Sequence, residues 1–340
     1  MKTRKLKDLI VSEIGMGCMG FSHGYGQIPS ENYSIEAIQK AHDFGCTFFD
    51  TAEAYGPNLE PENFGHNEKI LGKALKNFRK DIILATKLHI PTEEARADGD
   101  LYITIKRHLE ASLKRLQTDY ADLYYLHRIN PDFPVEDVAA AMGKLIEEGL
   151  IRGWGLSQVP LEIIERAQAI APLTAIQNIY SMVERSCETE IIPYCLKNNI
   201  GLVAFSPIAS GFLSGKITAS TEFEKVDDVR NFVPQLKREN IIANQPILDV
   251  IAKFAALKNA SSAQISLAWM LKKYSNVVPI PGSKNQGRIL ENLGACNIEL
   301  TDSEFNELDT SLKALKIHGH RGHDESTGKS FLNVEEKVNR

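Results

Sequence analysis

Eight short apolar runs, most of them followed by a polar stretch of helical period, constrain this chain more than any other feature. They read IGMGCM (14–19), CTFFDTA (46–52), IILATK (82–87), DLYYLH (122–127), IRGWGLS (151–157), AIQNIY (175–180), GLVAFS (201–206) and VVPIPG (277–282). Each is too short for a helix and rich in β-branched or aromatic residues, as strands buried in a parallel sheet are. Periodic segments such as SENYSIEAIQKAHDFG, DLYITIKRHLEASLKRLQ and PVEDVAAAMGKLIEEG lie between them, and two of these end in the glycine that often stops a helix. Eight strands alternating with helices over 340 residues is the count of a (β/α)8 TIM barrel, whereas a doubly wound sheet needs no eighth strand. The gap between the seventh and eighth runs exceeds one helix. It predicts a long insertion: the polar loop TASTEFEKVDDVRNFVPQLKREN, then helices in NQPILDVIAKFAALKN and SAQISLAWMLKKYS. The expectation is a single α/β domain over residues 1–340, with its core at about 4–315 and a polar C-terminal loop or tail at 316–340.

With 43% hydrophobic residues and 24% charged, a chain of this length has ample material for one large core. A net charge of −5 leaves no electrostatic footprint for nucleic acid or an anionic membrane. No apolar run approaches the roughly 18 residues of a membrane-spanning helix, and MKTRKLKDLIVSEIG lacks the apolar segment of a signal peptide. Five cysteines are scattered without a C-x-x-C pair, ordinary usage for a reducing cytoplasm.

The first run continues as IGMGCMG, which spells G-x-G-x-x-G at Gly15, Gly17 and Gly20. A dinucleotide fingerprint of that spelling needs its glycines in the turn that opens a helix. Here FSHGYGQIPS follows, so no helix is expected before about Ser30, and no acidic residue closes a second strand some 20 positions on. The context argues against a phosphate site at this motif.

The polar residues that end the runs are more telling. FFDTAEAYG places Asp50 at the end of the second run and Tyr55 in the next loop, ILATK ends in Lys87, and LYYLH ends in His127. Taken singly, each has a plain alternative: a helix cap, a turn residue, a solvated charge, a satisfied core histidine. In a barrel, however, strand C-termini converge on one face and would gather all four. The ordered set GMGCMG, DTAEAYG, NEKILGKAL, ATK, YYLHRI, GLS, IQNIYS, FSPIASGFLSGK and PIPGSK, from about residue 4 to residue 315, resembles the aldo-keto reductase superfamily.

That resemblance implies the (β/α)8 barrel, a hydride transferred from NADPH to an aldehyde or ketone without a metal, and a catalytic tetrad at Asp50, Tyr55, Lys87 and His127. The residue types suit the chemistry. Carbonyl reduction builds charge on oxygen; a phenol can supply the proton, a nearby ammonium eases its loss, and an imidazole can orient the carbonyl. By the same resemblance Ser157, Gln158 and Gln177 meet the nicotinamide carboxamide, Phe205 stacks on its ring, and Gly17, Met19 and Asp50 lie close by. The segment SPIASGFLSGK resembles a pyrophosphate loop, with Ser206, Pro207, Ile208, Gly211, Leu213 and Lys216 as contacts. GSKNQGRILEN, with Gly282, is expected to open a helix capped by Ser283 and Gln286, with Lys284 and Arg288 on one face as a seat for a 2′-phosphate. Glu291 and Asn292 match positions near adenine.

Two further readings use the same residues. The motif set is also similar to regulatory β subunits of potassium channels, redox-sensing proteins with slow turnover. Lys87 on a barrel strand could instead form a Schiff base in a lyase. In the tail, HGHRGH has metal-like spacing, but no carboxylate or cysteine cluster completes a site; His318, His320 and Arg321 are expected at the rim of the active site. The partner is a small carbonyl compound, and the oligomeric state is not legible.

Overall fold

A computed structural model of the chain describes residues 1–57, 61–324 and 329–330. Eight parallel strands form its centre: β3 (Met16–Gly17), β4 (Phe48–Asp50), β5 (Ile83–Leu88), β6 (Leu123–Leu126), β7 (Trp154–Ser157), β8 (Ala175–Ile179), β9 (Gly201–Phe205) and β10 (Val277–Pro279), each hydrogen-bonded to the next in sequence order. The Gly15 N–H donates to the Pro279 carbonyl at 2.9 Å and Gly17 bridges Gly282, so the first and last strands meet. This is an α/β fold whose parallel sheet curls into a (β/α)8 barrel-like form.

The strands alternate between two environments, as the period of two requires. Phe48, Ile83, Ala85, Leu123, Tyr125, Ala175, Val203 and Val278 share the interior cluster, while neighbours such as Leu84, Leu126, Leu156 and Ile176 pack outward under the helices. The same alternation points Asp50, Lys87 and Gln177 inward, because each lies two positions beyond an interior apolar residue.

The interior has a floor that the opening residues do not advertise. β1 (Thr3–Leu6) and β2 (Leu9–Ser12) form an antiparallel hairpin that inserts Leu6, Leu9 and Val11 into the interior cluster. The hairpin also carries Arg4, whose guanidinium donates to the Val277 carbonyl at 2.7 Å and to the Leu271 and Tyr274 carbonyls.

Helices pack outside. α1 (Glu31–Asp43) is capped by the Ser30 hydroxyl, which accepts from the Tyr33 N–H, and buries Ser34, Ala37, Ile38 and Ala41 at three- and four-residue spacing. It is followed by α2 (His66–Leu75), α3 (Thr92–Asp98), α4 (Leu101–Leu116), α5 (Val135–Glu147), α6 (Leu161–Ile170) and α7 (Ile191–Lys197). Between β9 and β10 come three-residue-per-turn segments at Ala209–Ser214, Val229–Phe232 and Pro234–Leu236. Then follow α8 (Arg238–Ala243), α9 (Gln245–Lys258) and α10 (Ser262–Lys273), before α11 (Gln286–Leu293) and α12 (Asp302–Lys313) complete the ring. No helix among the described residues is long and apolar enough to cross a membrane.

Two local expectations need correction. The first run shrinks to a two-residue strand, because Cys18 already leaves the extended region and a tight turn occupies Met19–Phe21. The helix expected after Gly282 begins only at Gln286 and is capped by Asn285, whose side chain accepts from the Arg288 N–H; the Ser283 hydroxyl instead accepts from the Asn285 N–H at 3.1 Å. Gln286 does not turn back to a cap, since its amide donates to the Tyr33 carbonyl and accepts from Lys40.

Candidate active site

At the C-terminal ends of the strands lies a cavity of about 260 Å³, lined mostly by apolar groups including Met19, Tyr25, Ile129, Phe205 and Ile280. Asp50, Tyr55 and His127 open onto it, and Lys87 lies fully buried beneath. Asp50 and Lys87 stand on β4 and β5, His127 just beyond β6 and Tyr55 in the loop after β4, and the barrel brings them together.

Lys87 is the hub. Its ammonium donates to Asp50 Oδ1, to the Thr51 carbonyl at 2.7 Å and to the Tyr55 hydroxyl at 3.3 Å, using all three of its donors. The second Asp50 oxygen accepts from the Gln177 amide at 2.8 Å. Burial works against the charge on Lys87, but Asp50 and Tyr55 more than offset it and hold the ammonium above its ordinary range. Burial likewise raises the Tyr55 phenol; Lys87 and Arg128 pull the other way, without prevailing. The expected easing of proton loss is therefore a counterweight here, and Tyr55 rests protonated at neutral pH.

His127 directly follows β6, its ring set edge-on to Tyr55 with centroids 5.7 Å apart. Burial first, then the charges of His89, Arg128 and Lys87, hold its imidazole well below the usual range. It is neutral, with one nitrogen carrying hydrogen, and its Nδ1 has no hydrogen-bond partner among the described residues. His89 was missed by the sequence reading. Its ring lies 4.4 Å from that of His127, and its main-chain N–H donates to the Glu53 carboxylate at 3.1 Å. The signal was available: β5 runs past Lys87, so residues 87 and 89 share a face.

Of the residues assigned to a cofactor, Gly17, Met19, Asp50, Ser157, Gln177, Phe205, Ser206 and Gly282 line the cavity. Gln158 is not among the lining residues; it adopts φ +52° and its N–H donates to the Gln177 carbonyl. A Cβ at Gly17 would stand 2.9 Å from the Ile280 carbonyl. The glycine serves the barrel seam.

After β9 the chain takes positive φ at Ser206, Ala209, Ser210 and Gly211, a turn geometry that directs successive N–H groups to one side. The Ser210 hydroxyl there is buried and has no partner among the described residues. Pro207 and Leu213 are buried, the latter in the helical core, and Ile208 packs against that core. Lys216 pairs with Glu291 at 3.2 Å, which ties this loop to α11 beside the buried Asn292.

Lys284 does not share a helical face with Arg288. It precedes α11, and its ammonium donates to the Tyr25 and Gln27 carbonyls at 2.7 and 2.5 Å, with Glu224 at 3.7 Å. Arg288 stands on the first turn of α11, exposed. In the C-terminal segment, Arg321 lines the cavity and its guanidinium donates to the Ser206 hydroxyl at 2.8 Å. His318 and His320 do not line it and are held through their main chains. The side chain of His323, residues 325–328 and residues 331–340 of the tail lie outside the described residues, as do residues 58–60 of the loop after Tyr55.

Comparison with known proteins finds relatives along nearly the whole chain. The model of the Aldo/keto reductase family matches residues 13–313. The chain is 35% identical over 343 residues to the aldo-keto reductase yakc [NADP(+)] of Schizosaccharomyces pombe, covering 98% of this chain and 97% of that protein. It is 36% identical over 317 residues to the probable aldo-keto reductase 1 of Glycine max, covering 92% and 88%. The crystal structure of an aldo/keto reductase from Klebsiella pneumoniae, in complex with NADP and acetate, superposes with a TM-score of 0.69 at 25% identity, covering 93% of this chain and 99% of that one. Identity along nearly the whole length, together with the barrel and the residues gathered at its mouth, goes beyond a shared fold: the chain belongs to the aldo/keto reductase family.

Proposed function

We propose that this protein is an NADPH-dependent reductase of aldehydes or ketones, with Tyr55 as the proton donor. The observation that carries the reading is the buried Lys87 ammonium shared between Asp50 and the Tyr55 hydroxyl. Negative charge developing on a carbonyl oxygen needs a proton at the moment it forms. A protonated Tyr55 supplies it from the cavity wall, and Lys87 stabilises the phenolate left behind. Asp50 keeps Lys87 charged and aimed, while Gln177 and the Thr51 carbonyl fix the pair from either side. His127, neutral in its buried setting, donates a hydrogen bond that orients the carbonyl without competing for the proton.

The cofactor is inferred from the family and from relatives whose names carry NADP, and the residues present fit it. Bound NADPH supplies the hydride. Ser157 and Gln177 offer polar groups to the carboxamide and Phe205 a flat face to the ring. The left-handed turn at 206–211, with its unpartnered Ser210 hydroxyl, suits the diphosphate. Arg288 on the first turn of α11 suits the 2′-phosphate, with Glu291 and Asn292 toward the adenine. We take the segment between β9 and β10 and the C-terminal segment around Arg321 as cover for the site. Five cysteines, none disulfide-bonded in the structure, suit a reducing, cytoplasmic setting.

A panel of carbonyls and alcohols followed at the NADPH absorbance tests the reading, with Tyr55→Phe as control. Turnover with simple aldehydes that falls roughly 10²- to 10⁴-fold in kcat in the variant is the expected result. Turnover in Tyr55→Phe equal to wild type would refute the assignment, and negligible turnover by wild type would favour a redox-sensing role.

A further inference from the structure

Glu53 is a buried carboxylate that the chemistry above does not use. It stands two residues before Tyr55 in the turn after β4 and is 4% exposed. A charge so placed is costly unless it is paired and hydrogen-bonded. One of its oxygens accepts from the main-chain N–H of His89 at 3.1 Å. The other faces Nδ1 of His108 at 2.9 Å, with the Arg115 guanidinium at 4.0 Å. His108 and Arg115 lie two turns apart on α4 and so share a face. Glu94 faces the second ring nitrogen of His108 at 3.4 Å. Burial works against a charge on His108, but Glu53 and Glu94 outweigh it and raise the imidazole above its ordinary range. Glu53 thus has a cationic partner on α4.

These bonds fasten one turn to one strand end. The Glu53 N–H donates to the Lys87 carbonyl at 3.1 Å, so residue 53 grips β5 through its main chain at Lys87 and through its side chain at His89. Lys87 holds its ammonium 3.3 Å from the Tyr55 hydroxyl, and the His89 ring packs against that of His127. The far side of the turn is held by the start of α2, where the Gly65 N–H donates to the Glu53 carbonyl at 2.6 Å and the Asn67 N–H to the Tyr55 carbonyl at 3.1 Å. Arg115 also donates to the buried Glu68 at 2.6 Å, and Glu68 accepts from the Thr86 hydroxyl at 2.6 Å. The polar network outside the barrel therefore meets β5 at residues 86, 87 and 89. Neither Glu53 nor His108 lines the cavity, so they act through the residues that do. Alignment of reacting groups is sensitive to such supports, since a misplacement of about 1 Å costs on the order of 10²-fold in rate.

We propose that Glu53 is a positioning residue for the reaction: with His108 and Arg115 as counter-ions, its carboxylate locks the turn that carries Tyr55 to the end of β5 that carries Lys87 and His89. It thereby sets the alignment of the phenol with its ammonium partner, and takes no part in the proton transfer itself. This rests on the reductase reading above.

The assay measures single-turnover hydride transfer from bound NADPH to a simple aldehyde such as butanal, in wild type, Glu53→Ala, Glu53→Gln, Tyr55→Phe and the double variant Glu53→Ala with Tyr55→Phe. Rates are expressed per NADPH bound, titrated by fluorescence, so they do not depend on the folded fraction. Glu53→Ala is expected to slow the transfer roughly 10- to 100-fold while leaving NADPH affinity and the KM for the aldehyde near wild type. Glu53→Gln, whose amide oxygen can still accept from the His89 N–H, recovers most of that loss. In the Tyr55→Phe background the Glu53→Ala change costs at most about threefold more, because the phenol it aligns is gone. Should Glu53→Ala fail to bind NADPH, Glu53→Asp carries the same prediction with the charge kept, being one methylene too short to hold both His89 and His108. A wild-type rate in Glu53→Ala, or in Glu53→Asp where that stands in for it, overturns the proposal. So does a Glu53→Gln protein as slow as Glu53→Ala, or a full 10- to 100-fold further loss in the double variant, which would place the effect elsewhere than on Tyr55. These results leave the reductase reading standing, whereas no NADPH oxidation by wild type with any carbonyl removes that reading and this inference with it.

Discussion

Removing the Lys87 ammonium tests whether the buried pair beneath the cavity is structural, catalytic or both. Lys87 is fully buried and Asp50 nearly so, and each is the other's counter-ion. In Lys87→Met the Asp50 carboxylate keeps, among the described residues, the Gln177 amide at 2.8 Å, and the Thr51 carbonyl loses the Lys87 donor. Breaking a buried pair from one side costs about 3–5 kcal/mol. The double variant Asp50→Asn with Lys87→Met removes both charges of the pair, and the side-chain amide oxygen introduced at position 50 can still accept from Gln177. The two changes should therefore fall short of additivity by about 1–3 kcal/mol. Urea denaturation reads this from the midpoint at constant m-value. Activity should not follow stability: both the single and double variants lose at least about 10²-fold in kcat, because neither supplies a cation beside the Tyr55 phenolate. A Lys87→Met protein within about 1 kcal/mol of wild type, or strict additivity in the double variant, would refute the reasoning about the pair. Recovery of turnover in the double variant would refute the catalytic part.

Burial holds His127 below its ordinary range, so the unfolded chain binds the proton more readily than the folded one. Its contribution to stability is therefore present above about pH 6.5 and lost as pH falls below it; a pH series of unfolding midpoints should show this slope reduced in His127→Gln. Lys87 and Tyr55 are both raised, so their contribution is complete below about pH 10 and declines above it, measurable as a lower midpoint at alkaline pH that Tyr55→Phe lessens. Arg288→Ala should narrow the preference for NADPH over NADH roughly tenfold or more, by loss of a charge-assisted contact. Lys284→Met should change it less, since that ammonium is engaged by the Tyr25 and Gln27 carbonyls; equal effects of the two would contradict the separation of these residues. Gly17→Ala should lower the unfolding midpoint, since its Cβ would stand 2.9 Å from the Ile280 carbonyl.

The sequence by itself determined which polar side chains would gather at the barrel mouth. An apolar run of four to seven residues has a side-chain period of two and one downstream end, so a polar residue closing such a run is placed at the mouth of a barrel once the fold class is known. Asp50, Lys87 and His127 were legible for that reason, with Tyr55 in the adjoining loop, and Ser157 and Gln177 by resemblance. What tertiary structure alone decided involves segments far apart in the chain, about which local pattern carries no information. The hairpin of β1 and β2 becomes the barrel floor because Leu6, Leu9 and Val11 find an apolar interior open below them. Lys284 is drawn off the helix by carbonyls in the loop at 25–27, and Asn285 takes the cap that Ser283 was expected to fill. The direction of the Tyr55 shift depends on how much solvent the fold removes relative to how near it brings Lys87, a balance of burial against distance that only coordinates contain. Arg321 reaches the cavity because Asn244 and Gln235 hold its neighbours, a placement set by long-range hydrogen bonds to main chain, which any residue type supplies and no motif therefore marks.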